Sequence, residues 1–314
     1  MSNPNAKDTL RDLVFVGAFP PDLQRVLDAE FRCHDAEVAL ANPELAGRIQ
    51  GIITRSNVLL SKQVVTGLPN LKIIATCGVG YDGIPLAAAR ERKIVVTNTP
   101  GVLDDAVCEL GVGILLALLR RIPAADQFTR SGKWASGMFP LATSLAGKRV
   151  GIVGLGRIGR GIAARLAGFG VTLAYTGSLH DDVPHRHFEK LHELARESDV
   201  LFICCRGGDS TRKLINASVL EALGPDGFLI NMSRGSVVDE PALIHALQTG
   251  RIQGAGLDVY EGEPDIAPAF LTLPNTVLMP HIGSATRETR AVMLRLTLDN
   301  LHAVLGGGAA LTPV

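Results

Sequence analysis

The chain has 314 residues, enough for two domains of ordinary size, because globular domains cluster near about 100–150 residues. Hydrophobic residues make up 46% and charged residues 20%, which excludes a largely disordered chain. Lysine plus arginine and aspartate plus glutamate number 31 each, so the formal net charge is +0 and no overall field attracts nucleic acid or an anionic membrane. The composition therefore favours a compact protein with a small-molecule ligand.

The sequence shows no membrane or secretion signal. Its longest apolar runs, such as residues 113–119, are far shorter than the roughly 18–20 residues that a membrane span requires. The polar start MSNPNAKDTL does not resemble a signal peptide, so we expect a cytoplasmic protein. The five cysteines are odd in number and lack CxxC spacing, and we expect reduced thiols and no metal site.

The first third of the chain alternates short β-branched runs with helical patterns, which is typical of a parallel sheet covered by helices. The runs are LVFVGAF, IQGIITRS, LKIIATCGVG and KIVVTNTPG. From residue 104 to about residue 130, apolar residues recur at helical spacing, and Pro123 should kink or interrupt that helix. We expect this helix to bridge two domains.

A second series of strand candidates then predicts a doubly wound nucleotide-binding sheet. Its six members are KRVGIVGLG, VTLAYTG, DVLFICC, GFLINMS, IQGAGLDV and NTVLMPH. Residues 287–305 are predicted to form one more amphipathic helix, and the final GGGAALTP is predicted to be a frayed tail.

The segment VGIVGLGRIGRG carries a candidate dinucleotide-binding loop. Gly154, Gly156 and Gly159 follow a predicted strand and open a predicted helix. Gly154 would permit a tight turn, Gly156 would let the backbone approach a pyrophosphate, and Gly159 would let the helix pack closely on the strand. A whole domain precedes this loop, whereas an L-lactate or malate type dehydrogenase would carry it near the N-terminus.

The second strand of this series favours NADPH over NADH. An NAD site usually has an acidic residue at the end of that strand, where it binds the ribose hydroxyls, but VTLAYTGS ends without a carboxylate. Ser178, His180 and Arg206 could bind a 2′-phosphate instead. The alternative is that Asp181, which comes after the strand, reaches back and binds NADH.

Three chemically active residues follow strand ends in the second series: Arg234, Glu263 and His281. Because ligands of open α/β sheets bind beyond the carboxyl ends of the strands, these residues can converge on one nicotinamide. The fork of Arg234 suits a carboxylate, and His281 can donate a proton near neutral pH. A neighbouring Glu263 would orient the imidazole and favour its charged form. The set predicts reduction of a 2-oxo acid.

The chain resembles the D-isomer-specific 2-hydroxyacid dehydrogenases over nearly its whole length. The resemblance is carried by CGVGYDGI, VTNTPGVLDDAVCELGVGILLALLRRI, the glycine loop, NMSRGSVVDEPAL, GLDVYEGEP and PHIGSAT. The KWASGMFPL segment and the YTG strand end are similar to NADPH-dependent glyoxylate, hydroxypyruvate and hydroxyphenylpyruvate reductases. The implied fold is α/β with two doubly wound parallel-sheet domains.

By this resemblance a Rossmann cofactor domain, residues 99–286, is inserted into a flavodoxin-like substrate domain, residues 1–98 plus 287–314. The active site would lie in the cleft between the domains. Arg234 would bind the substrate carboxylate and polarise the ketone, His281 would be the acid and base, and Glu263 would be its partner. The amides of Val79 and Gly80 would bind the other side of the carboxylate.

The resemblance also implies the cofactor contacts. Asp258 would orient the nicotinamide carboxamide, with a turn-capping role as the alternative. Ser178 and Arg206 are the candidate phosphate ligands, although related NADP-dependent proteins often carry other residues at both positions. The remaining contacts would be Gly154, Gly156, Arg157, Ile158, Gly159, Ser233, Gly283 and Ser284.

We therefore expect an NADPH-dependent reductase that converts a small 2-oxo acid to the D-2-hydroxy acid. The alternatives are an NAD-dependent enzyme for hydroxyphenylpyruvate, D-lactate or 3-phosphoglycerate, with Arg55 as a phosphate contact in the last case, or a non-catalytic cofactor-sensing scaffold. Glu263 argues against a formate dehydrogenase, which would carry Gln there. The helix at 104–122 and an apolar surface around Trp134, Met138 and Phe139 suggest a homodimer, although such a cluster can also be core packing or a wall of the substrate pocket.

Overall fold

The computed structural model describes residues 10–314, which divide into two compact units. One unit comprises the chain up to Leu103 together with Ala285–Val314, and the other is Asp104–Ser284. The sequence analysis predicts one folding domain from residues 1–98 with 287–314 and a second from residues 99–286. These domain boundaries stay predictions. The prediction that the polar start is no signal peptide concerns residues 1–9, which lie outside the described residues.

Within its described residues, the first unit is a five-stranded sheet in the order β2-β1-β3-β4-β5, with every pair parallel. Its strands are β1 (Arg11–Val16), β2 (Phe31–Asp35), β3 (Gly51–Arg55), β4 (Ile73–Cys77) and β5 (Val95–Thr97). Its helices are α1 (Pro21–Glu30), α2 (Ala36–Ala41), α3 (Pro43–Arg48), α4 (Lys62–Gly67), α5 (Leu86–Glu91) and α12 (Arg287–Leu305). Leu294 and Leu298 of α12 share a buried apolar cluster with Leu13 of β1 and Ile73 of β4, so the C-terminal helix covers one face of this sheet.

The second unit is a seven-stranded parallel sheet in the order β12-β11-β10-β9-β6-β7-β8. Its strands are β6 (Arg149–Val153), β7 (Thr172–Thr176), β8 (Arg186–Phe188), β9 (Val200–Ile203), β10 (Phe228–Asn231), β11 (Gly254–Leu257) and β12 (Thr276–Leu278). Its helices are α6 (Asp104–Leu119), α7 (Ile122–Arg130), α8 (Arg157–Leu166), α9 (Leu191–Arg196), α10 (Ala217–Leu223) and α11 (Glu240–Gln248). The strand order reverses between β6 and β9, which is where open α/β sheets bind nucleotides.

The predicted fold class is confirmed, since both units are parallel sheets with helices on both faces. The sequence analysis missed the edge strands β2 and β8, whose sequences FRCHD and RHF are short and largely polar. The helix predicted from residue 104 is two helices, because Arg121 adopts a left-handed φ of 52° and Pro123 stands in the first turn of α7.

The prediction of a frayed C-terminal tail is wrong. The side chain of Asn300 accepts hydrogen bonds from the amides of Leu311 and Thr312, at 2.9 and 3.0 Å. The amide of Val314 donates to the carbonyl of Val96 in β5 at 3.0 Å. The glycines therefore form a turn that returns the last residues to the sheet.

No helix formed by residues 10–314 is long and apolar enough to cross a bilayer.

Candidate active site

Three neighbouring strands of the second unit present the predicted catalytic residues. Arg234 follows β10, Glu263 follows β11 and His281 follows β12, and the sheet order places these strands side by side. Because all three strands are parallel, their carboxyl ends lie on the same edge of the sheet. This topology is the reason that we predict the three residues to converge.

His281 and Glu263 are in direct contact. Nδ1 of His281 lies 2.6 Å from Oε2 of Glu263, and the two side chains are 25% and 18% exposed. The second carboxylate oxygen of Glu263 accepts a hydrogen bond from the amide of Tyr260 at 2.9 Å. Both oxygens of the acid are therefore held, and the imidazole is oriented with Nε2 available for a substrate.

The environment keeps Glu263 ionised. Burial opposes ionisation, but the hydrogen bond and charge of His281, the amide of Tyr260 and the charge of Arg234 together hold the pKa of Glu263 below its usual range. The ionised carboxylate accepts a hydrogen bond from Nδ1 of His281 and fixes the direction in which Nε2 points. The pair can therefore supply a proton to an oxygen placed at Nε2.

A strained turn, held by Asp258, positions His281. The backbone of His281 adopts a left-handed φ of 53°, which costs a residue with a side chain on the order of 1 kcal/mol. Asp258 is 2% exposed, and its two oxygens accept hydrogen bonds from the amides of Ile282 and Gly283 at 2.7 and 2.8 Å. These bonds give Asp258 the turn-capping role that the sequence analysis kept as an alternative. Burial raises the pKa of Asp258.

Arg234 is half-buried and lies within electrostatic range of Glu263. Its Nη1 donates to the carbonyl of Ser233 at 2.9 Å, and its charge helps to keep Glu263 ionised. A Cβ on Gly207 would lie 2.6 Å from Cγ of Arg234, so the arginine stem lies against the backbone of Gly207. Close packing of this kind restricts the guanidinium to few conformations, as a carboxylate ligand requires.

The glycine loop has the geometry expected for a pyrophosphate site. Gly154 follows β6 with a φ of 92°, and a Cβ there would lie 2.7 Å from the amide nitrogen of Cys205. A Cβ on Gly159 would overlap the carbonyl oxygen of Gly154, which explains the close approach of α8 to β6. Gly156, the N-cap of α8, has no protein atom within 4 Å of a Cβ. The space in front of the helix N-terminus is therefore open for an anion.

The end of β7 carries no free carboxylate of the kind that binds a ribose. Ser178 is exposed after Gly177, and Asp182 forms a bidentate ion pair with Arg160 of α8 at 2.7 and 2.8 Å. This ion pair lowers the pKa of Asp182 and neutralises its charge. The sequence analysis did not identify Arg160, because nothing in the pattern pairs the first turn of α8 with a loop after β7. Asp181, the alternative NADH ligand, is exposed.

The other predicted cofactor residues lie near the same strand ends but differ in exposure. Arg157 is exposed and pairs with Asp104 at 3.2 Å, and Arg206 is also exposed. Ser233 is buried, and its hydroxyl donates to the carbonyl of Cys205. Ile158 and Ser284 are half-buried, and Gly283 is buried beneath Asp258. Their contacts with a cofactor stay predictions.

The predicted carboxylate-binding turn, Val79 and Gly80, belongs to the first unit. It follows β4, and the side chain of Asn98 donates to the carbonyl of Val79 at 2.8 Å. Both residues are half-buried, so this hydrogen bond fixes the turn without covering it. Arg55, considered as a phosphate contact, donates to the carbonyl of Ala18 at 2.8 Å.

Two residues near the catalytic pair were not identified from the sequence. Gly235 and Glu240 lie in the NMSRGSVVDE motif, which the sequence analysis used only for Arg234. Glu240 directly follows Asp239 and is the first residue of a helix, where an acid is usually solvated. Its burial depends on packing that a motif does not show. Residues 10–314 contain no cluster of His, Cys, Asp or Glu that could hold a metal ion.

Residues 112–283 match the family described as D-isomer specific 2-hydroxyacid dehydrogenase, NAD binding domain. A 2-ketogluconate reductase from Gluconobacter oxydans is 43% identical over 304 residues, covering 96% of this chain and 98% of that protein. A hydroxyphenylpyruvate reductase from Plectranthus scutellarioides is 43% identical over 270 residues, covering 86% of each.

A solved structure from Sinorhizobium meliloti is similar in fold and sequence. It is an NADPH-dependent glyoxylate/hydroxypyruvate reductase in complex with NADP and malonate. It is 42% identical to this chain with a TM-score of 0.92, and the match covers 98% of this chain and 97% of that one.

Proposed function

The chain belongs to the D-isomer-specific 2-hydroxyacid dehydrogenase family, and on that premise we propose that it reduces a small 2-oxo acid of the glyoxylate or hydroxypyruvate class to the D-2-hydroxy acid with NADPH. Family membership makes it an NAD(P)-dependent oxidoreductase that reduces a 2-oxo acid to a 2-hydroxy acid. The observation that carries the proposal is the 2.6 Å contact between His281 and Glu263, within electrostatic reach of Arg234.

The proposed chemistry divides between three side chains. When bound, the reduced nicotinamide supplies a hydride to the C2 carbonyl carbon. The guanidinium of Arg234 binds the substrate carboxylate and stabilises negative charge on the carbonyl oxygen. Nε2 of His281 donates its proton to that oxygen, and Glu263 holds the ring in orientation through Nδ1 until the proton leaves. The C2 oxygen becomes the hydroxyl of the product.

The remaining site residues complete the proposal. The amides of Val79 and Gly80 bind the second side of the substrate carboxylate. Asp258 acts through the turn that it caps and orients the nicotinamide carboxamide. The glycine loop binds the pyrophosphate, and the other cofactor contacts are Arg157, Ile158, Ser233, Gly283 and Ser284.

The coenzyme preference follows from the end of β7. No carboxylate follows Thr176 directly, and Arg160 neutralises Asp182. Because Asp182 is paired with Arg160, it does not repel a 2′-phosphate that lies beside Ser178 and Arg206. The ribose hydroxyls of NADH, in contrast, lack the acidic residue that usually accepts their hydrogen bonds at this strand end. The structural relative from Sinorhizobium meliloti, which is described as NADPH-dependent, supports this choice.

A larger 2-oxo acid is the second candidate, because relatives at 43% identity act on hydroxyphenylpyruvate and 2-ketogluconate by name. One rate survey separates the candidates: glyoxylate, hydroxypyruvate, hydroxyphenylpyruvate and 2-ketogluconate, each with NADPH and NADH. We expect the highest kcat/KM with a small acid and NADPH. A preference for a larger acid or for NADH would replace that part of the proposal, and no turnover on any acid would favour the non-catalytic alternative.

We propose that the protein is a cytoplasmic homodimer. Trp134 and Met138 are 71% and 89% exposed, so core packing does not account for these two side chains, whereas Phe139 is half-buried against Phe128. Exposed apolar side chains of this size favour an interface with a second copy. Light scattering on the purified protein should give twice the chain mass, and the monomer mass would contradict the proposal.

The five cysteines are free thiols, as expected in a reducing compartment.

A further inference from the structure

The buried acid Glu240 lies beneath the loop that carries Glu263. It is 8% exposed at the start of α11, and its Oε1 accepts a hydrogen bond of 2.6 Å from the amide of Glu261. Burial raises the pKa of Glu240, and the charges of Glu261 and Glu263 act in the same direction. A carboxylate in this position is costly, so its benefit must come from the peptide it binds.

That peptide is part of a hydrogen-bonded loop that ends at the histidine. The amide of Tyr260 donates to Oε1 of Glu263, and the next amide, of Glu261, donates to Glu240. Oε2 of Glu263 then contacts His281. Two consecutive amides therefore bind two different carboxylates, and one of those carboxylates is the partner of the proposed proton donor.

Gly235 packs against the same peptide from the neighbouring strand end. A Cβ at Gly235 would overlap the carbonyl carbon of Tyr260 and the amide nitrogen of Glu261, which are the two atoms of that peptide bond. Gly235 directly follows Arg234 in the chain. The backbone that carries the proposed carboxylate ligand is thus in van der Waals contact with the loop that carries the proton-donor partner.

We propose that Glu240 is a positioning residue: its carboxylate holds the Tyr260–Glu261 peptide against Gly235 and thereby fixes Arg234 relative to the Glu263–His281 pair. This inference rests on the proposed roles of those three residues. It differs from a purely structural role at the helix N-terminus, in which Glu240 would stabilise α11 without affecting the chemistry. Misplacement of reacting groups by about 1 Å can cost roughly 10²-fold in rate.

The test compares Glu240→Ala with Glu240→Gln in the full-length enzyme, measuring kcat, KM for glyoxylate and the pH profile. The alanine removes the acceptor for the Glu261 amide, so we expect kcat to fall by about 10- to 100-fold. The acid limb of the profile should move to higher pH, because a displaced Glu263 loses the contacts with His281 and the Tyr260 amide that hold its pKa below its usual range. The glutamine retains an oxygen that can accept from the amide, and we expect it to restore most of the activity.

Several charged groups lie around the Glu263–His281 pair and contribute to that limb of the pH profile. Glu263 and Asp258 face His281, Arg234 faces Glu263, and Glu240 itself faces Glu261 and Glu263. The matched control is Glu221→Ala, which removes an exposed helix acid paired with Arg251 elsewhere in this unit. We expect that control to leave kcat and the pH profile unchanged.

Different outcomes separate this inference from the proposed function. Unchanged kcat and pH profile in Glu240→Ala, or equal losses in Glu240→Ala and Glu240→Gln, would overturn the positioning role. If Glu240→Ala does not fold, Glu240→Asp decides: its shorter side chain should lower kcat with NADPH binding retained, and unchanged kcat would overturn the inference. His281→Ala is assayed alongside, because activity in that variant would overturn the proposed function itself.

Discussion

Nδ1 of His281 lies 2.6 Å from Oε2 of Glu263, although 17 residues and a strand separate them in the chain. The contact forms because β11 and β12 are neighbouring parallel strands, and because Asp258 stabilises the left-handed backbone of His281 through the two amides that follow it. The geometry gives the imidazole one fixed partner and leaves its other nitrogen for chemistry.

Replacing His281 by alanine should lower kcat by about 10²–10⁴-fold, because it removes the positioned proton donor. NADPH binding should be nearly unchanged, because the imidazole is proposed to contact the substrate oxygen. Steady-state rates with glyoxylate and a fluorescence titration with NADPH check the two parts. Activity close to that of the parent enzyme would show that another group donates the proton.

Arg234→Ala should raise KM for the 2-oxo acid and lower kcat together, with a combined loss of about 10²–10³-fold in kcat/KM. Arg234→Lys should recover little of it, since a lysine cannot form the two parallel hydrogen bonds to a carboxylate. If NADPH affinity fell while KM for the acid stayed the same, Arg234 would be a cofactor ligand.

Gly156→Ala should leave the fold intact and weaken NADPH binding by about tenfold or more, or about 1.4 kcal/mol. The added methyl group meets no protein atom within 4 Å, but it occupies the space proposed for the pyrophosphate. Gly168→Ala is the matched control, because it also meets no protein atom within 4 Å and lies at the other end of α8. Equal NADPH affinities in the two variants would place the pyrophosphate elsewhere.

The lowered pKa of Glu263 predicts a dependence of stability on pH. A carboxyl whose pKa is lower in the folded state than in the unfolded state stabilises the fold at pH values above its unfolded pKa. For Glu263 that unfolded pKa is 4.5. That contribution is lost as the pH falls through the folded pKa. Urea unfolding of the parent and of Glu263→Gln should therefore differ most above pH 4.5 and converge in stronger acid. A difference independent of pH would show that Glu263 is not held in its ionised form.

Ser178→Asp should shift the coenzyme preference toward NADH. The new carboxylate would stand where NAD sites hold the ribose, and it would repel a 2′-phosphate. We expect NADPH affinity to fall by about tenfold or more and NADH affinity to fall less or to rise. An unchanged ratio of the two affinities would mean that the phosphate does not lie beside this strand end.

Much of the fold could be predicted from the sequence because buried parallel strands are continuous apolar runs. β4, β9 and β10 read directly from IIATC, VLFI and FLIN. The edge strands β2 and β8 lack this signal, since an edge strand is only partly buried and can be polar. The tail was misjudged because its order depends on Asn300, a residue of the preceding helix whose contacts a glycine-rich sequence does not show.

For the candidate site, the pattern identified residues at strand ends, since the topology of a parallel sheet brings strand ends together. It could not identify Arg160, Gly235 or Glu240. Their roles come from single contacts across the sheet: an ion pair with Asp182, close packing on the Tyr260 peptide, and a hydrogen bond from Glu261. Contacts of this kind depend on side-chain placement and leave no periodic signal.

A crystal structure with NADP⁺ and oxamate, a non-reducible analogue of a 2-oxo acid, tests the central claim most directly. We predict that the oxamate carboxylate binds the guanidinium of Arg234 and that its carbonyl oxygen lies about 3 Å from Nε2 of His281. An analogue bound away from Arg234, or an Nε2 directed away from that oxygen, would contradict the account.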